Sequence, residues 1–371
     1  MVLENPLRIL HVLRAPLGGL FRHVCDLARE QSERGHLVGV MADSSPAGAQ
    51  AEAAFVGLAE TCRLGVFRVP MSRQLGLKDR KAVRYVAMRA LECKAEILHG
   101  HGAKGGAYVR LAKTQALRAY TPHGGSLHYR RLSPLGLVYL RLEKMLARKT
   151  DLFLFESEFS LNTFRTKLGE PRALARVVHN GVRPEELHPL MPHGDAADVI
   201  FVGELRKLKG VGDLIEALSR TPRSAILFGS GPDAEKFRAD VVKRGLAAQV
   251  EFAGPLPARE AFKRGRVLVV PSRAESFPYI VLEAAAAGVP MIATNVGGIP
   301  EIYGPDADKL IPPNNPPTLA EVIAFTLKKP PDALTARLRA RVAASFTVAA
   351  MTDGVLRAYG DALAARERRN R

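Results

Sequence analysis

Short apolar segments alternate with helical patterns along the whole chain, and this alternation restricts the possible folds more than any other feature. In the first half it predicts seven strands, at residues 7–13, 37–41, 66–69, 96–99, 118–121, 152–155 and 176–178. Helical spacing between them is clear at 21–34, 78–94 and 135–148. Strands that alternate with helices predict parallel sheets covered on both faces by helices.

A second series of strands follows a break in the pattern. Residues 188–195 hold two prolines and a glycine, which is typical of a linker. Beyond it, strands are predicted at 198–202, 224–228, 250–252, 267–270, 290–293 and 309–311. Since 371 residues suffice for two domains, we expect an α/β protein with two doubly wound, Rossmann-like parallel-sheet domains, at 1–190 and 191–346, that face a central cleft. The last helical pattern, 347–371, is expected to pack back on the first domain.

Simple features argue against a membrane-spanning or exported protein. Residues 1–6 lack the basic start of a signal peptide, and the apolar run that follows is interrupted by charged side chains. No window approaches the roughly 18 apolar residues of a membrane-spanning helix. Cys25, Cys62 and Cys93 are odd in number and lack metal-binding spacing. We therefore expect a reduced, cytoplasmic protein.

The net charge of +17 is concentrated in one stretch. Residues 101–150 hold ten Lys or Arg and one acidic residue, Glu143, so this stretch alone carries +9. Such a patch can bind nucleic acid, or an anionic membrane surface at about 1 kcal/mol per basic residue. A solvated basic face without a partner is the third reading. The chain has no tryptophan and no aromatic-rich basic motif, which argues against nucleic acid.

Two carboxylates lie where a ligand is expected. Glu275 and Glu283 are separated by seven residues and follow the predicted strand 267–270, with Glu283 on the next helix. In open α/β sheets, ligands bind outside the carboxyl ends of the strands. Because carboxylates accept hydrogen bonds from hydroxyls, this pair suits the recognition of vicinal hydroxyl groups.

A basic loop follows the predicted strand 198–202. Residues 203–210 combine small residues with Arg206 and Lys209 just before a helix. The positive side chains and the helix N-terminus suit a diphosphate. Read alone, the segment is also an ordinary basic turn.

Other glycine-containing loops follow strands as well. Gly229 and Gly231 come after the predicted strand 224–228, and the segment 295–301 holds two more glycines. Each could be ordinary turn chemistry, but their shared placement favours a ligand site. In the first half, Gly18 and Gly19 could bring backbone N–H groups to a phosphate. They lack the three-glycine spacing of a dinucleotide-binding fingerprint.

Three histidines, His99, His101 and His123, lie at or after strand ends. A histidine there is more often a local hydrogen-bonding group than a catalyst. His123 is the best catalytic candidate, because the proline and glycines of Thr-Pro-His-Gly-Gly indicate a rigid, exposed turn. Asp306 and Asp308 match a metal-binding Asp-x-Asp pattern but lie in a polar loop. We expect them to be solvated, and we expect no metal.

Taken together, these residues resemble the family-4 retaining glycosyltransferases, which have the two-domain GT-B fold. The resemblance spans nearly the whole chain. Its main carriers are Glu275 and Glu283, the stretch Leu-Glu-Ala-Ala-Ala-Ala-Gly-Val-Pro that ends at Pro290, and Val-Gly-Gly-Ile-Pro-Glu that ends at Glu301. Weaker carriers are Lys-Gly at 209–210, His-Asn-Gly-Val at 179–182 and the early glycine pair.

The resemblance implies a role for each matching residue. Glu275 would hold hydroxyls of the transferred sugar, Glu283 the ribose, and Lys209 the diphosphate as the nucleotide leaves. His123 would lie near the reacting sugar. The catalytic group is then His123, Glu275 and Lys209, and the substrate-binding group is Gly18, Gly19, Arg206, Lys209, Gly229, Gly231, Glu275, Ser276, Phe277 and Glu283. Family members retain configuration by front-face attack and need neither a metal nor another cofactor.

The chain departs from the family pattern in two places. Glu204 replaces an arginine that many members have after the glycine that matches Gly203. Because an acid would repel a diphosphate, we expect Arg206 to take over the basic role. Ser276 and Pro278-Tyr279 replace the more usual glycine-containing sequence, which affects the sugar pocket.

These observations lead to one main hypothesis and two alternatives. The main one is a hexosyltransferase that moves a sugar from a UDP- or GDP-linked donor to a lipid-linked or growing saccharide, in exopolysaccharide or lipopolysaccharide biosynthesis. Residues 101–150 would bind the anionic cytoplasmic face of a membrane. The enzyme alternative is a nucleotide-sugar epimerase or hydrolase of the same fold, and the non-enzyme alternative is a nucleic-acid-binding protein.

Overall fold

The computed structural model describes residues 5–45, 48–72, 76, 78–125 and 133–370. The chain forms two compact units. The first consists of Met1–Asn180 with Val348–Arg371, and the second of Gly181–Thr347.

The first unit is built on a parallel sheet of seven strands, as the sequence predicts. Along the sheet the strands run in the order β3-β2-β1-β4-β5-β6-β7. They are β1 (Arg8–Leu13), β2 (Leu37–Asp43), β3 (Gly65–Val69), β4 (Ile97–His101), β5 (Leu117–Thr121), β6 (Leu152–Phe155) and β7 (Leu174–Val177). The helices between them are α1 (Gly18–Glu33), α2 (Ala49–Thr61), α3 (Lys78–Glu92), α4 (Gly102–Leu111), α5 (Pro134–Ala147) and α6 (Glu158–Leu168).

The second unit repeats this plan with five parallel strands, in the order β10-β9-β8-β11-β12. They are β8 (Ala197–Val202), β9 (Ala225–Phe228), β10 (Val250–Gly254), β11 (Gly265–Val270) and β12 (Met291–Ala293). Its helices are α7 (Val211–Leu218), α8 (Ala234–Lys243), α9 (Ala258–Phe262), α10 (Tyr279–Ala286), α11 (Ile299–Tyr303), α12 (Pro316–Lys328) and α13 (Asp332–Ser345).

The predicted strand at 309–311 is wrong. Gly304–Lys309 forms a 3-10 helix, and Ile311 makes an isolated β-bridge to Thr294. The segment is apolar at its end because Leu310 and Ile311 are buried in the core. A short apolar run can thus belong to a buried segment that is not a regular strand.

Both faces of the second sheet are covered, which explains why its strands are almost entirely apolar. Successive residues point to opposite faces. Ile200 and Leu268 belong to one buried cluster, whereas Val199, Phe201 and Val269 belong to the other. Each such side chain contributes about 2 kcal/mol when it is fully buried.

The last helix, α14 (Val348–Asn370), belongs to the first unit. Its Met351, Val355 and Tyr359 are buried in one cluster with Ile9 and Ile97 of the sheet. Among the described residues, no helix is long and apolar enough to cross a membrane.

The proline-containing stretch 188–195 lies within the second unit and is anchored there. The N–H of Leu190 donates to the carbonyl of Ala287 at 2.9 Å, and the N–H of His193 donates to that of Lys263 at 2.8 Å. The division between the units comes earlier, after Asn180.

In each sheet the first strand lies next to the fourth, so that chain connections leave in opposite directions on its two sides. This point falls between β1 and β4 in the first unit and between β8 and β11 in the second. We call these two places the switch points. In doubly wound sheets, ligands bind at the carboxyl ends of the strands that flank such a point.

Candidate functional site

At the second unit's switch point, a lysine and a glutamate from two loops form an ion pair. Lys209 ends the loop after β8, and Glu275 lies in the loop after β11. The Lys209 Nζ donates to Glu275 Oε1 at 2.7 Å, and the Ser272 hydroxyl donates to the same oxygen at 2.7 Å. Glu275 is buried, while the Lys209 side chain is 28% exposed. The pair therefore presents a positively charged group to solvent above a fixed carboxylate.

A second ion pair ties the same loops together. The Arg273 guanidinium donates to both carboxylate oxygens of Asp213, in α7, at 2.9 and 2.6 Å. Because the Asp213 carboxylate accepts these hydrogen bonds from the charged guanidinium, the pKa of Arg273 is raised above its usual value. The Arg273 N–H also donates to the carbonyl of Leu208 at 2.9 Å. Bidentate arginine–carboxylate pairs fix geometry as well as charge, so the position of Lys209 relative to Glu275 is held by several contacts.

Two glycines let the loops approach each other this closely. Gly210 has φ +69°, and a Cβ placed there would lie 1.8 Å from the carbonyl oxygen of Pro271. Gly297 has φ +61°, and a Cβ there would lie 1.9 Å from the carbonyl oxygen of Glu275. A side chain at either position would push apart the backbone that carries Lys209 or Glu275.

Arg206 and Glu204 form a salt bridge at 3.5 Å, with both side chains about half exposed. Glu204 is therefore neutralised by the residue that was expected to replace the missing arginine. Such an exposed pair is weak and can rearrange when a ligand binds. Arg206 also lines a cavity of about 470 Å³ together with Lys207, Leu208, Pro232, Asp233 and Arg273.

Gly229 and Gly231 contact the backbone of the basic loop. A Cβ on Gly229 would lie 1.9 Å from the carbonyl oxygen of Gly203, and one on Gly231 would lie 2.4 Å from that of Leu205. The Gly229 N–H donates to Gly254, so it is already used within the fold. These glycines shape the loop that holds Arg206 and Lys209.

The other predicted residues near Glu275 differ in their surroundings. The ring of Phe277 is buried in the core, 5.5 Å from that of Phe346, so its side chain belongs to the packing. The carbonyl of Ser276 accepts a hydrogen bond from the Gly298 N–H at 2.8 Å. Glu283 lies in α10 and is partly exposed.

The sequence analysis predicted that Asp306 and Asp308 are solvated, but both carboxylates are paired with basic side chains. Asp306 accepts two hydrogen bonds from the Arg337 guanidinium, at 3.0 and 2.7 Å, and Asp308 pairs with Lys309 at 2.7 Å. The hydrogen bonds from Arg337 lower the pKa of Asp306. Each carboxylate is thus neutralised by a basic residue.

In the first unit, Gly18 and Gly19 form the first turn of α1 and are exposed. Gly18 has φ +65°, and a Cβ there would meet no atom within 4 Å. The helix has no acidic residue in this turn. The N-terminus of α1 therefore has the exposed N–H groups and the dipole that favour an anion.

His123 follows β5 and adopts a left-handed conformation, with φ +49°. Its Nε2 lies 3.2 Å from His101 Nδ1. A positive φ is uncommon outside glycine and costs energy, so the turn is held in place by its surroundings. The sequence prediction of a rigid turn agrees with this conformation, but the expected exposure does not, because the ring lies against other histidines.

Five histidines of β1, α1, β4 and the turn after β5 form one group, in which four rings are buried and His123 is partly buried. His11 Nδ1 lies 3.0 Å from His101 Nε2, and His11 Nε2 lies 2.8 Å from Gln31 Oε1. His99 contacts Tyr359 and Thr121 at 2.7 and 2.8 Å. The fifth member, His23 in α1, has Nδ1 2.9 Å from Asn180 Oδ1.

Burial keeps these imidazoles neutral. It lowers the pKa of His11 and of His23 to about 4, and it lowers those of His99, His101 and His123 well below 6.5. Neighbouring histidines add to the effect by repelling a second positive charge. Each ring is therefore available as a neutral donor and acceptor at physiological pH.

Sequence reasoning missed several of these residues. Asp213 and Arg273 are 60 positions apart and show no local signal of pairing. Ser272 lies in the conspicuous stretch before Glu275, which was the available signal. His11 lies within the predicted strand 7–13, and only the strand register shows that it is directly beside His99. His23 lies within the predicted helical segment 21–34, and nothing in that pattern indicates a site.

The sequence matches two family descriptions. Residues 17–186 match "Glycosyltransferase Family 4", and residues 183–343 match "Glycosyl transferases group 1". The two matches together cover most of both units.

Curated relatives match part of the chain. The D-inositol 3-phosphate glycosyltransferase of Mycolicibacterium smegmatis is 26% identical over 240 residues, which covers 60% of this chain and 55% of that protein. An uncharacterized 41.2 kDa protein in the cps region of Klebsiella pneumoniae is 27% identical over 228 residues, with 56% and 63% covered. The chain thus spans less than two thirds of the length of either relative.

Solved structures match nearly the whole chain. Sucrose-phosphate synthase from Thermosynechococcus elongatus has a TM-score of 0.80 at 20% identity, covering 96% of this chain and 99% of the other. HepE of Anabaena, in complex with UDP and glucose, has a TM-score of 0.79 at 20% identity, covering 95% and 98%. At such identity the likeness concerns the fold.

Proposed function

Because the chain belongs to the family-4 type glycosyltransferases, with the GT-B fold, we propose that it transfers a hexose from a nucleotide diphosphate sugar to a lipid-linked or growing saccharide with retention of configuration. The observation that carries this proposal is the Lys209–Glu275 pair at the second unit's switch point. It offers a cation for a diphosphate beside a fixed acceptor for sugar hydroxyls.

The donor is held in the second unit. Lys209 and Arg206 bind the diphosphate, Glu275 accepts hydrogen bonds from the transferred sugar, and Glu283 accepts them from the ribose. The backbone around Ser276 and Phe277, with Gly229 and Gly231, shapes the pocket. The similarity to HepE, whose structure contains UDP and glucose, makes UDP-sugars the first donors to test.

Transfer needs charge stabilisation more than a nucleophile. The bond between the anomeric carbon and the phosphate oxygen breaks while the acceptor hydroxyl attacks from the same face. The departing phosphate takes the acceptor proton. Lys209 stabilises the negative charge that develops on the diphosphate, and His123 contacts the reacting sugar. Gly18 and Gly19 add N–H groups for the phosphate, and no metal ion bridges it.

The exposed residues of α5 are of the kinds that bind a membrane surface, which agrees with a lipid-linked acceptor. Leu137, Val138 and Met145 are 56%, 58% and 49% exposed, and Arg141 and Lys144 are exposed as well. Spacings of three and four place most of them on one helix face. A helix face that mixes apolar and basic groups binds the surface of an anionic bilayer. We propose that the protein works at the cytoplasmic face of a membrane.

One member of the basic stretch does not belong to this surface. Arg110 is fully buried and pairs with Glu143, the acidic residue of the stretch. We propose that the exposed basic residues of α5, with Arg148 and Lys149 directly after it, supply membrane-binding charge.

The reaction is tested with Glu275→Gln, which keeps the shape of the side chain and removes its charge. We expect kcat/KM for transfer from a UDP-sugar to fall about 10²–10³-fold. Glu235→Gln, at an exposed ion pair on α8, is the matched control and should keep wild-type activity. Wild-type kcat/KM in Glu275→Gln would overturn the assignment. An altered or hydrolysed sugar without acceptor would instead support an epimerase or hydrolase.

The membrane part is tested by charge reversal. The triple variant Arg141→Glu/Lys144→Glu/Arg148→Glu should bind anionic phosphatidylglycerol vesicles about 100-fold more weakly than wild type. The control Lys236→Glu/Arg238→Glu/Lys243→Glu makes the same change of charge on α8 and should bind nearly as well as wild type. Equal weakening in both variants would mean that overall charge, and not α5, drives binding.

A further inference from the structure

We propose that His23, His101 and His123 form a binding site for a divalent transition-metal ion, with zinc as the best-fitting ion. One ligand nitrogen from each of the three lies within 4.8 Å of the other two. All three belong to the first unit, and they come from α1, the end of β4 and the turn after β5.

The nitrogen atoms available for such an ion are set by the residues around the three rings. His23 Nδ1 is held by Asn180 Oδ1, which is an acceptor, so Nδ1 carries the proton and Nε2 carries the lone pair. This Nε2 is buried and has no hydrogen-bond partner among the described residues. A buried polar atom without a partner costs about 1–3 kcal/mol, and a metal ion would supply the missing partner.

The second ligand, His101, is oriented in the same way. Its Nε2 contacts His11 Nδ1 at 3.0 Å, and the other nitrogen of His11 contacts Gln31 Oε1 at 2.8 Å. With the Gln31 oxygen as acceptor, His11 donates to it through Nε2–H, and His11 Nδ1 accepts a hydrogen bond from His101 Nε2–H. His101 Nδ1 is then left with its lone pair. Metal-bound histidines commonly donate their other ring N–H to such an outer partner, which fixes ring and tautomer.

The distances require small adjustments. Zinc binds histidine nitrogens at about 2.0–2.1 Å with tetrahedral angles, so two ligand nitrogens lie about 3.3 Å apart. His101 Nδ1 and His123 Nε2 are already 3.2 Å apart. The ligand nitrogen of His23 lies within 4.8 Å of the other two, so it has to move by at most about 1.5 Å to reach this separation.

The composition of the site favours zinc among common divalent ions. Three neutral imidazoles suit zinc, copper, nickel and cobalt, whereas calcium and magnesium prefer oxygen ligands. His123 is less buried than His101 and His23, which leaves a side for entry and for a fourth ligand. Three histidines with one open position is a known coordination pattern of zinc.

The donor's diphosphate is not a ligand in this site, and we propose no metal for it; His123 is the one residue that the site shares with the proposed contact to the reacting sugar. The inference rests on residues of the first unit and does not require the proposed reaction. Transfer by chelator-treated enzyme and metal binding by the same sample are independent measurements. Failure of one leaves the other standing.

The test uses the full-length protein after treatment with EDTA and removal of the chelator. Titration with Co²⁺ should give one equivalent bound, with the visible absorption of a low-coordinate cobalt site, and Zn²⁺ should displace it. His23→Gln should weaken binding about 100-fold or more, and Asn180→Ala about 10–100-fold. His193→Ala removes an exposed histidine of the second unit and is the control, with unchanged binding.

The outcome that overturns the proposal does not depend on any variant. If wild-type protein binds no Co²⁺ at one equivalent, the histidines form a hydrogen-bonded network only. Cobalt binding that His193→Ala weakens as much as His23→Gln would mean adventitious surface binding. Circular dichroism of each variant checks that lost binding is not lost folding.

Discussion

The two switch points have the same strand arrangement but opposite polar chemistry. In the second unit, the loops after β8 and β11, with the first turn of α7, carry the charged pairs Lys209–Glu275 and Arg273–Asp213, in which Lys209 and Arg273 are partly exposed. In the first unit, β1 and β4 carry the neutral imidazoles of His11, His99 and His101, which are almost completely buried. One topology thus provides both a charged site that faces solvent and an uncharged one inside the protein.

The difference follows from how far the side chains lie along the strands. His11 and His99 are within β1 and β4, on the same side as Ile9 and Ile97, where α14 covers the sheet. Lys209 and Glu275 come after their strands end, in loops that water reaches. Burial favours neutral forms, whereas partial exposure allows charged pairs. Burial of the side chains therefore decides whether neutral or charged groups are found at a switch point.

The largest expected effect is on the charged site. Lys209→Met keeps the length of the side chain and removes its charge, so kcat/KM for sugar transfer should fall about 10²–10³-fold. Folding should remain intact, because Ser272 still donates to Glu275. The measurement is steady-state kinetics together with a thermal melt. A variant with near wild-type kcat/KM would contradict the view that the charged switch point is the catalytic one.

A smaller effect tests how the loops of that site are held. Gly210→Ala introduces a Cβ 1.8 Å from the Pro271 carbonyl oxygen at φ +69°, so strain and steric conflict should together cost about 3 kcal/mol of unfolding free energy. Gly245→Ala has nearly the same φ, +70°, but meets no atom within 4 Å, and should cost about 1 kcal/mol. Denaturant unfolding compares the two. Equal losses would mean that backbone strain alone matters and that the close approach does not.

The smallest expected effect belongs to the neutral site and concerns pH. Burial lowers the pKa of His11 and His23 to about 4, compared with 6.5 in the unfolded chain. The unfolded chain then binds more protons between pH 6.5 and 4, so stability falls as the pH falls through this window. Each histidine should cost about 2 kcal/mol between pH 6.5 and 5.

This pH dependence is measured as the unfolding free energy of chelator-treated protein at pH 7, 6 and 5. His193→Ala should show the wild-type slope, because it leaves the five histidines of the group in place. His11→Gln should show a shallower one. A stability that does not change over this range would contradict the buried, neutral state of the histidines.

Much of the fold could be predicted because strands and helices have local patterns. All seven strands of the first sheet and five of the second were predicted, since each is a short apolar run between polar loops. The exception is the segment 309–311, whose apolar side chains are buried although the segment is not a strand. Family membership was also predictable, because its carriers, such as Glu275 and Glu283 with the sequence between them, are contiguous.

The contacts within the sites could not be predicted in the same way. Lys209 and Glu275 are 66 positions apart, and His23 and Asn180 are 157 apart. Neither pair has a sequence pattern that links its members. Phe277 stands two residues from Glu275 and yet belongs to the core, since neighbouring loop residues can point in opposite directions.

The sequence by itself determined the α/β class, the two series of strands, the family and the residues Lys209, Glu275 and His123 as candidates. The fold class, the strands, the family and these candidates can be recognised in the sequence, because each depends on periodicity or on a short contiguous segment. Only the tertiary structure decided that Glu275 is bound to Lys209 and Ser272, that Asp306 is neutralised by Arg337, and that five histidines meet in one group. Such contacts depend on which distant segments the folding of the sheets brings together, and on how much water remains between them.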